Sequence, residues 1–147
     1  MLDQINAIIR ENDICVLATA GEQGPHTSLM AYACSPDCSR VYLVTPRQTQ
    51  KYRNLCAQPN VSLMVDTREQ QPRESVRALT INGRGYEISD AAESAAVREV
   101  FSQRHAHLLP LLEQNDIAFF SVVIEALQLL NGPSEAHYIR LPIADGG

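Results

Sequence analysis

Tryptophan is missing from this chain and lysine occurs once, at Lys51. Lysine and arginine together number 12 against 17 aspartates and glutamates, a formal net charge of −5. A general nucleic-acid binder meets phosphates with a broad basic face, and this composition does not supply one. Long apolar runs are lacking too: nothing approaches the roughly 20 residues of a membrane-spanning helix. The opening residues Met1-Leu-Asp-Gln have neither the basic nor the apolar region of a signal peptide, so no membrane partner and a cytoplasmic location are expected. Cys15, Cys34, Cys38 and Cys56 are too few and too irregularly spaced for a secreted disulfide framework, and free thiols are expected. Cys34-Ser-Pro-Asp-Cys38 can be read as half a metal site, but Ser-Pro-Asp equally makes a tight turn between strands. With no second Cys/His pair at ligand spacing, the turn is preferred and no metal is expected. Hydrolase signatures are absent as well, since Ser28 and Ser121 lack a nucleophile-elbow context and the carboxylates are scattered.

What is present describes one compact core. A chain of 147 residues with 45% hydrophobic content reads as a single domain, 1–147, and buries roughly two-thirds of its unfolded surface. Leu2, Ile5, Ile8 and Ile9 recur at helical spacing and predict a short amphipathic helix. Strands are predicted at Ile14–Ala20, Pro25–Ala33, Arg40–Thr45 and Val61–Asp66, with the turn Gly21-Glu-Gln-Gly24 between the first two. After a polar loop, Val76–Ile88 reads as a long strand in which Asn82-Gly83 and Gly85 allow a bend or bulge. Asp90 opens a helix to about Arg104, with Glu93 placed for a capping box. Ala118–Leu130 and Glu135–Leu141 form a last hairpin across Asn131-Gly-Pro-Ser134. Short connections imply antiparallel neighbours, and six or more strands imply a mainly β barrel or sandwich with peripheral helices.

The lone lysine lies in a window, Arg40 to Val65, that also holds Arg47 and Arg53 and contains no aspartate or glutamate. Thr49 caps a predicted helix that runs to about Gln58 before Pro59, which puts Lys51 in the first turn. An ammonium opposes the helix dipole there, yet free N–H groups and a lysine together suit a phosphate. A solvated helix end is the other reading, and charge alone weighs the two equally.

The order of these pieces is more specific than any one of them. A helix, three strands, a short helix starting at a Thr/Lys cluster, then Gln58-Pro-Asn-Val-Ser-Leu63, resembles the FMN-binding split barrels of the pyridoxamine 5'-phosphate oxidase-like family. The resemblance is strongest over Leu2–Asp66 and looser over Val76–Ile88. It implies an antiparallel six-stranded split barrel, with FMN held between the subunits of a homodimer. Carried over by position, Thr45, Arg47, Thr49 and Lys51 would serve the phosphate and ribityl chain. Backbone groups around Ser28, Leu29, Met30 and Ala31 would face the flavin ring. The chemistry suits the residues: a hydroxyl with Lys/Arg at a helix N-terminus supplies charge-assisted donors to a phosphate. The flat ring needs apolar strand surface and a few backbone hydrogen bonds. Arg84 and Tyr86, at alternating positions on the long strand, are candidates for contacts across the dimer interface.

Departures from the family fall at the substrate end. Authentic oxidases carry basic residues on the second strand and a basic, tryptophan-containing C-terminal segment, whereas Pro25–Ala33 holds no Arg or Lys and the chain has no tryptophan. The resemblance therefore implies a relative with a different substrate: an FMN-dependent oxidoreductase acting on a small redox partner, with NADH or NADPH as candidate donors. A non-catalytic flavin- or heme-binding or sensing protein on the same barrel is the alternative, and a deazaflavin in place of FMN stays open. Phe101–Pro110, Asp116–Phe120 and Leu129–Gly132 look loosely like split-barrel proteins of heme use and degradation. His105 and His107 would then be heme or metal ligands, but at i, i+2 they do not share a helical face. Surface histidines at a helix end are the preferred reading; His26 and His137 are isolated.

Overall fold

The computed structural model describes residues 1–141. Helix α1 (Leu2–Glu11) turns Ile5, Ile8 and Ile9 to one buried face, the outcome of their helical spacing. Strands β1 (Ile14–Gly21) and β2 (Gly24–Ala31) form a hairpin that turns at Gly24, whose φ of +93° is a conformation glycine accepts without strain. Then come β3 (Ala33–Cys34), β4 (Arg40–Pro46), helix α2 (Gln50–Ala57), β5 (Asn60–Asp66) and β6 (Arg77–Glu87). Helices α3 (Ala91–Arg104) and α4 (Leu109–Leu112) precede the long β7 (Ile117–Asn131) and its hairpin partner β8 (Ala136–Arg140). No helix among the described residues is long and apolar enough to cross a membrane.

All strand pairs are antiparallel, in the order β2-β1-β5-β6-β7-β4-β3, with β8 added to β7. Strands β2 and β3 stand at opposite ends of that order, yet a single residue, Tyr32, joins them in the chain. One residue spans at most about 3.6 Å, so the sheet must curl until its ends meet. The product is a mainly β, antiparallel half-barrel with peripheral helices.

Among the described residues eight strands replace the expected six. Six of them, β2-β1-β5-β6-β7-β4, make the wall. The expected strand Pro25–Ala33 breaks at Tyr32 because the chain changes partner there, from β1 to β4, and β8 lies off the main path. The bend expected at Asn82-Gly83 is a register shift against β7. A Cβ at Gly83 would fall on the Val123 carbonyl, so the bulge brings two backbones closer than any side chain allows.

The barrel interior is one apolar cluster. Leu17, Leu43, Leu63, Leu79, Ile81, Val122 and Leu127 enter it from the strands, and α1 closes it with its three isoleucines. Each such fully buried side chain contributes roughly 1.5–3 kcal/mol of transfer free energy. A second cluster lies outside the wall, where Val44 and Phe119 meet Val97 and Phe101 of α3. Strands β4 and β7 are therefore covered on both faces.

Candidate functional site

The wall is split where β2 leaves β4. Ala33 pairs with Tyr42 and Cys34 with Val41. Continued in that register, Ala31 would oppose Val44 and Met30 would oppose Thr45. No such pairs form among the described residues; β2 bonds to β1 and β4 to β7. Two strand edges thus diverge from Tyr32 with unpaired backbone donors and acceptors on their facing sides. Ser28, Leu29, Met30 and Ala31 lie on one lip, and Thr45 ends the other. The two groups of expected site residues thus fall on the two strands that diverge from Tyr32.

Helix α2 starts at the far end of this split. Thr49 is its N-cap in extended conformation and accepts the Tyr52 N–H at 3.2 Å. Its hydroxyl also donates to the Pro46 carbonyl at 3.0 Å. Thr45 is wholly buried, and its hydroxyl lies 3.1 Å from that of Thr49. Thr45 therefore sets the cap from the barrel side, while Thr49 is the threonine that reaches the surface.

The acid-free window is not acid-free in space. Arg47 bonds Glu87 at 2.9 Å and lies 3.7 Å from Asp116. Arg40 donates to Ser121 at 3.1 Å, and Arg53 to Gln50 at 3.0 Å. Among the described residues Arg47 alone of the four cations forms an ion pair, and Lys51 alone makes neither an ion pair nor a side-chain hydrogen bond; it stands half-exposed in the first turn of α2. A cation with no carboxylate, beside a capped helix N-terminus, is arranged to take an anion.

Glu87 and Tyr52 brace this end of the molecule. The Tyr52 hydroxyl donates to Glu87 at 2.7 Å while Arg47 bonds the other carboxylate oxygen. Burial alone would raise the Glu87 pKa, but the bonds from Tyr52 and Arg47 outweigh it and the pKa is lowered. The bond to Glu87, with a smaller contribution from Cys56, pushes the Tyr52 hydroxyl up to about 12. Arg47 is raised, first by its bond to Glu87.

Asn54 fixes the helix against the barrel. It is buried, donates to Thr19 at 3.1 Å and accepts from Gln50 at 2.8 Å. Opposite it, a Cβ at Gly21 would fall on the Asn54 side-chain oxygen, so glycine is what lets α2 approach β1. Sequence reasoning passed over Asn54 and Glu87. Glu87 had a signal: Gly83, Gly85 and Glu87 share one face of β6, and Gly85 packs against Leu55 of α2. The bond between Asn54 and Thr19 spans 35 residues and left no local trace.

The histidines fall elsewhere. His105, expected at the surface, is 1% exposed; its ring bonds the Tyr32 carbonyl at 2.8 Å and packs against Phe101. The reason is that α3 ends over the barrel seam, where the cap residue turns inward. His107 is exposed. Arg84 pairs with Glu125 of its own chain at 3.4 Å, and Tyr86 is exposed.

The family model described as pyridoxamine 5'-phosphate oxidase matches residues 1–130. No curated protein sequence matches the chain. Solved structures with the same fold include a heme-binding protein from Mycobacterium smegmatis, 18% identical, TM-score 0.77, covering 91% of this chain and 56% of that one. ChuZ of Campylobacter jejuni is 11% identical with a TM-score of 0.81, over 95% of this chain and 58% of its own. An FAD-binding protein from Mesorhizobium loti is 20% identical with a TM-score of 0.73, over 88% and 91%. The chain thus spans little more than half of the first two proteins and most of the third.

Proposed function

Because the chain belongs to the pyridoxamine 5'-phosphate oxidase family, we propose that it holds FMN in the split between β2 and β4 and works as an FMN-dependent oxidoreductase on a small redox partner. NADH and NADPH are the candidate donors. The observation that carries this reading is the meeting of two unpaired strand edges with a capped helix end and an unpaired Lys51.

The donor set suits the group. Lys51, the Thr49 hydroxyl and the first N–H groups of α2 would hold the phosphate, with Thr45 positioning Thr49. Arg47 would add its charge to the phosphate only by loosening Glu87 and Asp116, so its part is to shape the turn. Backbone groups of Ser28, Leu29, Met30 and Ala31 would meet the polar edge of the ring. Bound there, a flavin supplies hydride or electron transfer, and the protein positions it and excludes water. No cation lies on β2 to clamp a second phosphate, which favours a substrate without one.

A homodimer would complete the site. Leu29, Val16 and Met64 are cross-strand neighbours on the outer face of β2, β1 and β5, and Leu29 is 72% exposed and Met64 46%. With Ile14 beside them, they form an apolar surface of the kind a second copy covers.

The likeness to a heme-binding protein supports the rival reading of a carrier or sensor. Against it stands His105, whose buried ring is already engaged by Tyr32.

The absorption spectrum of the purified protein, an FMN titration and anaerobic mixing with NADH or NADPH test the proposal. Flavin absorption that bleaches with either nucleotide supports the oxidoreductase. A flavin that resists reduction favours the carrier, a Soret band favours heme, and failure to bind added FMN overturns the site. Sedimentation as a monomer overturns the dimer.

A further inference from the structure

We propose that Cys34 and Cys38 form a dithiol that a hydroperoxide converts to a disulfide, which makes the turn between β3 and β4 a redox-modification site. The turn brings the two residues together. Cys34 pairs with Val41 at the end of β3, and the chain folds back at once: the Cys38 N–H donates to the Ser35 carbonyl at 2.9 Å, and the Ser35 N–H to the Arg40 carbonyl at 3.0 Å. Cys38 takes a φ of +59°, uncommon for a residue with a side chain, and enters the buried cluster against which Cys34 also packs. Four residues apart across this tight turn, both side chains thus pack against the same cluster.

The surrounding bonds hold this geometry. Asp37 accepts from the Ser35 hydroxyl at 2.8 Å and from the Ser39 N–H and hydroxyl at 3.0 and 2.7 Å. Helix α1 lies over the turn, with Arg10 donating to the Pro36 carbonyl at 2.8 Å.

The two cysteines differ in access. Cys34 is half-buried and Cys38 buried. Burial pushes the Cys38 thiol up to about 11, so Cys34 reacts first. Its thiolate attacks the hydroperoxide; an S–O bond forms, the O–O bond breaks, and an alcohol or water leaves with a solvent proton. The Cys38 sulfur then attacks the oxidised sulfur. An S–S bond forms, the S–O bond breaks, and the hydroxyl departs as water with the Cys38 proton. Two electrons pass from the dithiol to the peroxide.

The test exposes the reduced protein to hydrogen peroxide, alkylates the remaining thiols and maps the fragments by mass spectrometry. Two of the four thiols are lost, and a fragment lighter by two hydrogens carries a Cys34–Cys38 link that reductant reverses. Cys56→Ser, at the exposed cysteine of α2, retains this product and Cys34→Ser loses it. Alkylated Cys34 and Cys38 recovered after peroxide has oxidised Cys56 overturn the proposal. So does a link from either to Cys15 or Cys56. The wild-type map decides the matter even if a variant does not fold.

Discussion

The hydroxyls of Thr45 and Thr49 stand 3.1 Å apart, and both reach the Pro46 carbonyl, at 3.2 and 3.0 Å. Each carries one proton, so the three contacts are not all donated at once. When Thr49 gives its proton to Pro46, Thr45 gives its own to Thr49, whose oxygen still accepts the Tyr52 N–H. Thr49→Ala removes the cap and is expected to cost about 1 kcal/mol of unfolding free energy in chemical denaturation. Thr49→Ser retains the bonds and most of the stability. Equal stability of wild type and Thr49→Ala would show that the cap is redundant.

Lys51→Ala separates binding from folding. Lys51 has no ion-pair partner to strand among the described residues, so little stability is lost. A lost hydrogen bond to a charged phosphate weakens FMN binding by about 1.5–3 kcal/mol, read by calorimetric titration. Unchanged affinity would return Lys51 to the role of a solvated surface residue.

Gly21→Ala tests how α2 is seated. The added methyl competes for the space of the Asn54 side-chain oxygen, so Asn54 must give up its bonds or α2 must move off β1. Overpacking at a buried polar contact is expected to destabilise the protein by about 1–3 kcal/mol. FMN affinity falls with it, because α2 carries Lys51. Wild-type stability in this variant would mean that Asn54 has room to turn aside.

The elements were legible wherever period and punctuation agreed. The isoleucines of α1, the Thr49 cap, Asp90 accepting the Glu93 N–H at 2.9 Å and the Asn82-Gly83 bulge all carry local signals, and all are present. The partner change at Tyr32 was not, since Pro25–Ala33 reads as one strand whichever neighbours it finds. Charge was misleading for a related reason. The window from Arg40 to Val65 is free of acids along the chain, but β6 and β7 bring Glu87 and Asp116 to Arg47. Composition singled out Lys51 as the lone lysine; the fold shows that Arg47, its neighbour in the window, is taken up by Glu87 and Asp116. His105 shows the limit at a helix end, where burial depends on what lies beneath the cap.

The bonds joining Arg47, Glu87 and Tyr52 give stability a dependence on pH at both extremes. Glu87 has its pKa lowered on folding, so its contribution is full above the unfolded carboxylate value, about 4.3, and is lost as pH falls through the folded value. Tyr52 is raised to about 12, so its contribution is full below the unfolded value and is lost as pH rises through the folded one. Arg47, raised by the same carboxylate, stays charged throughout and adds no slope. Glu87→Gln removes the charge on which both shifts depend. The difference in urea midpoint between wild type and Glu87→Gln is therefore expected to be constant between about pH 5 and 9 and to shrink on either side. Tyr52→Phe removes the alkaline limb alone and leaves the bond from Arg47 to carry the acid one. A difference that stays flat from acid to alkali would show that the network is solvated in solution and does not brace α2.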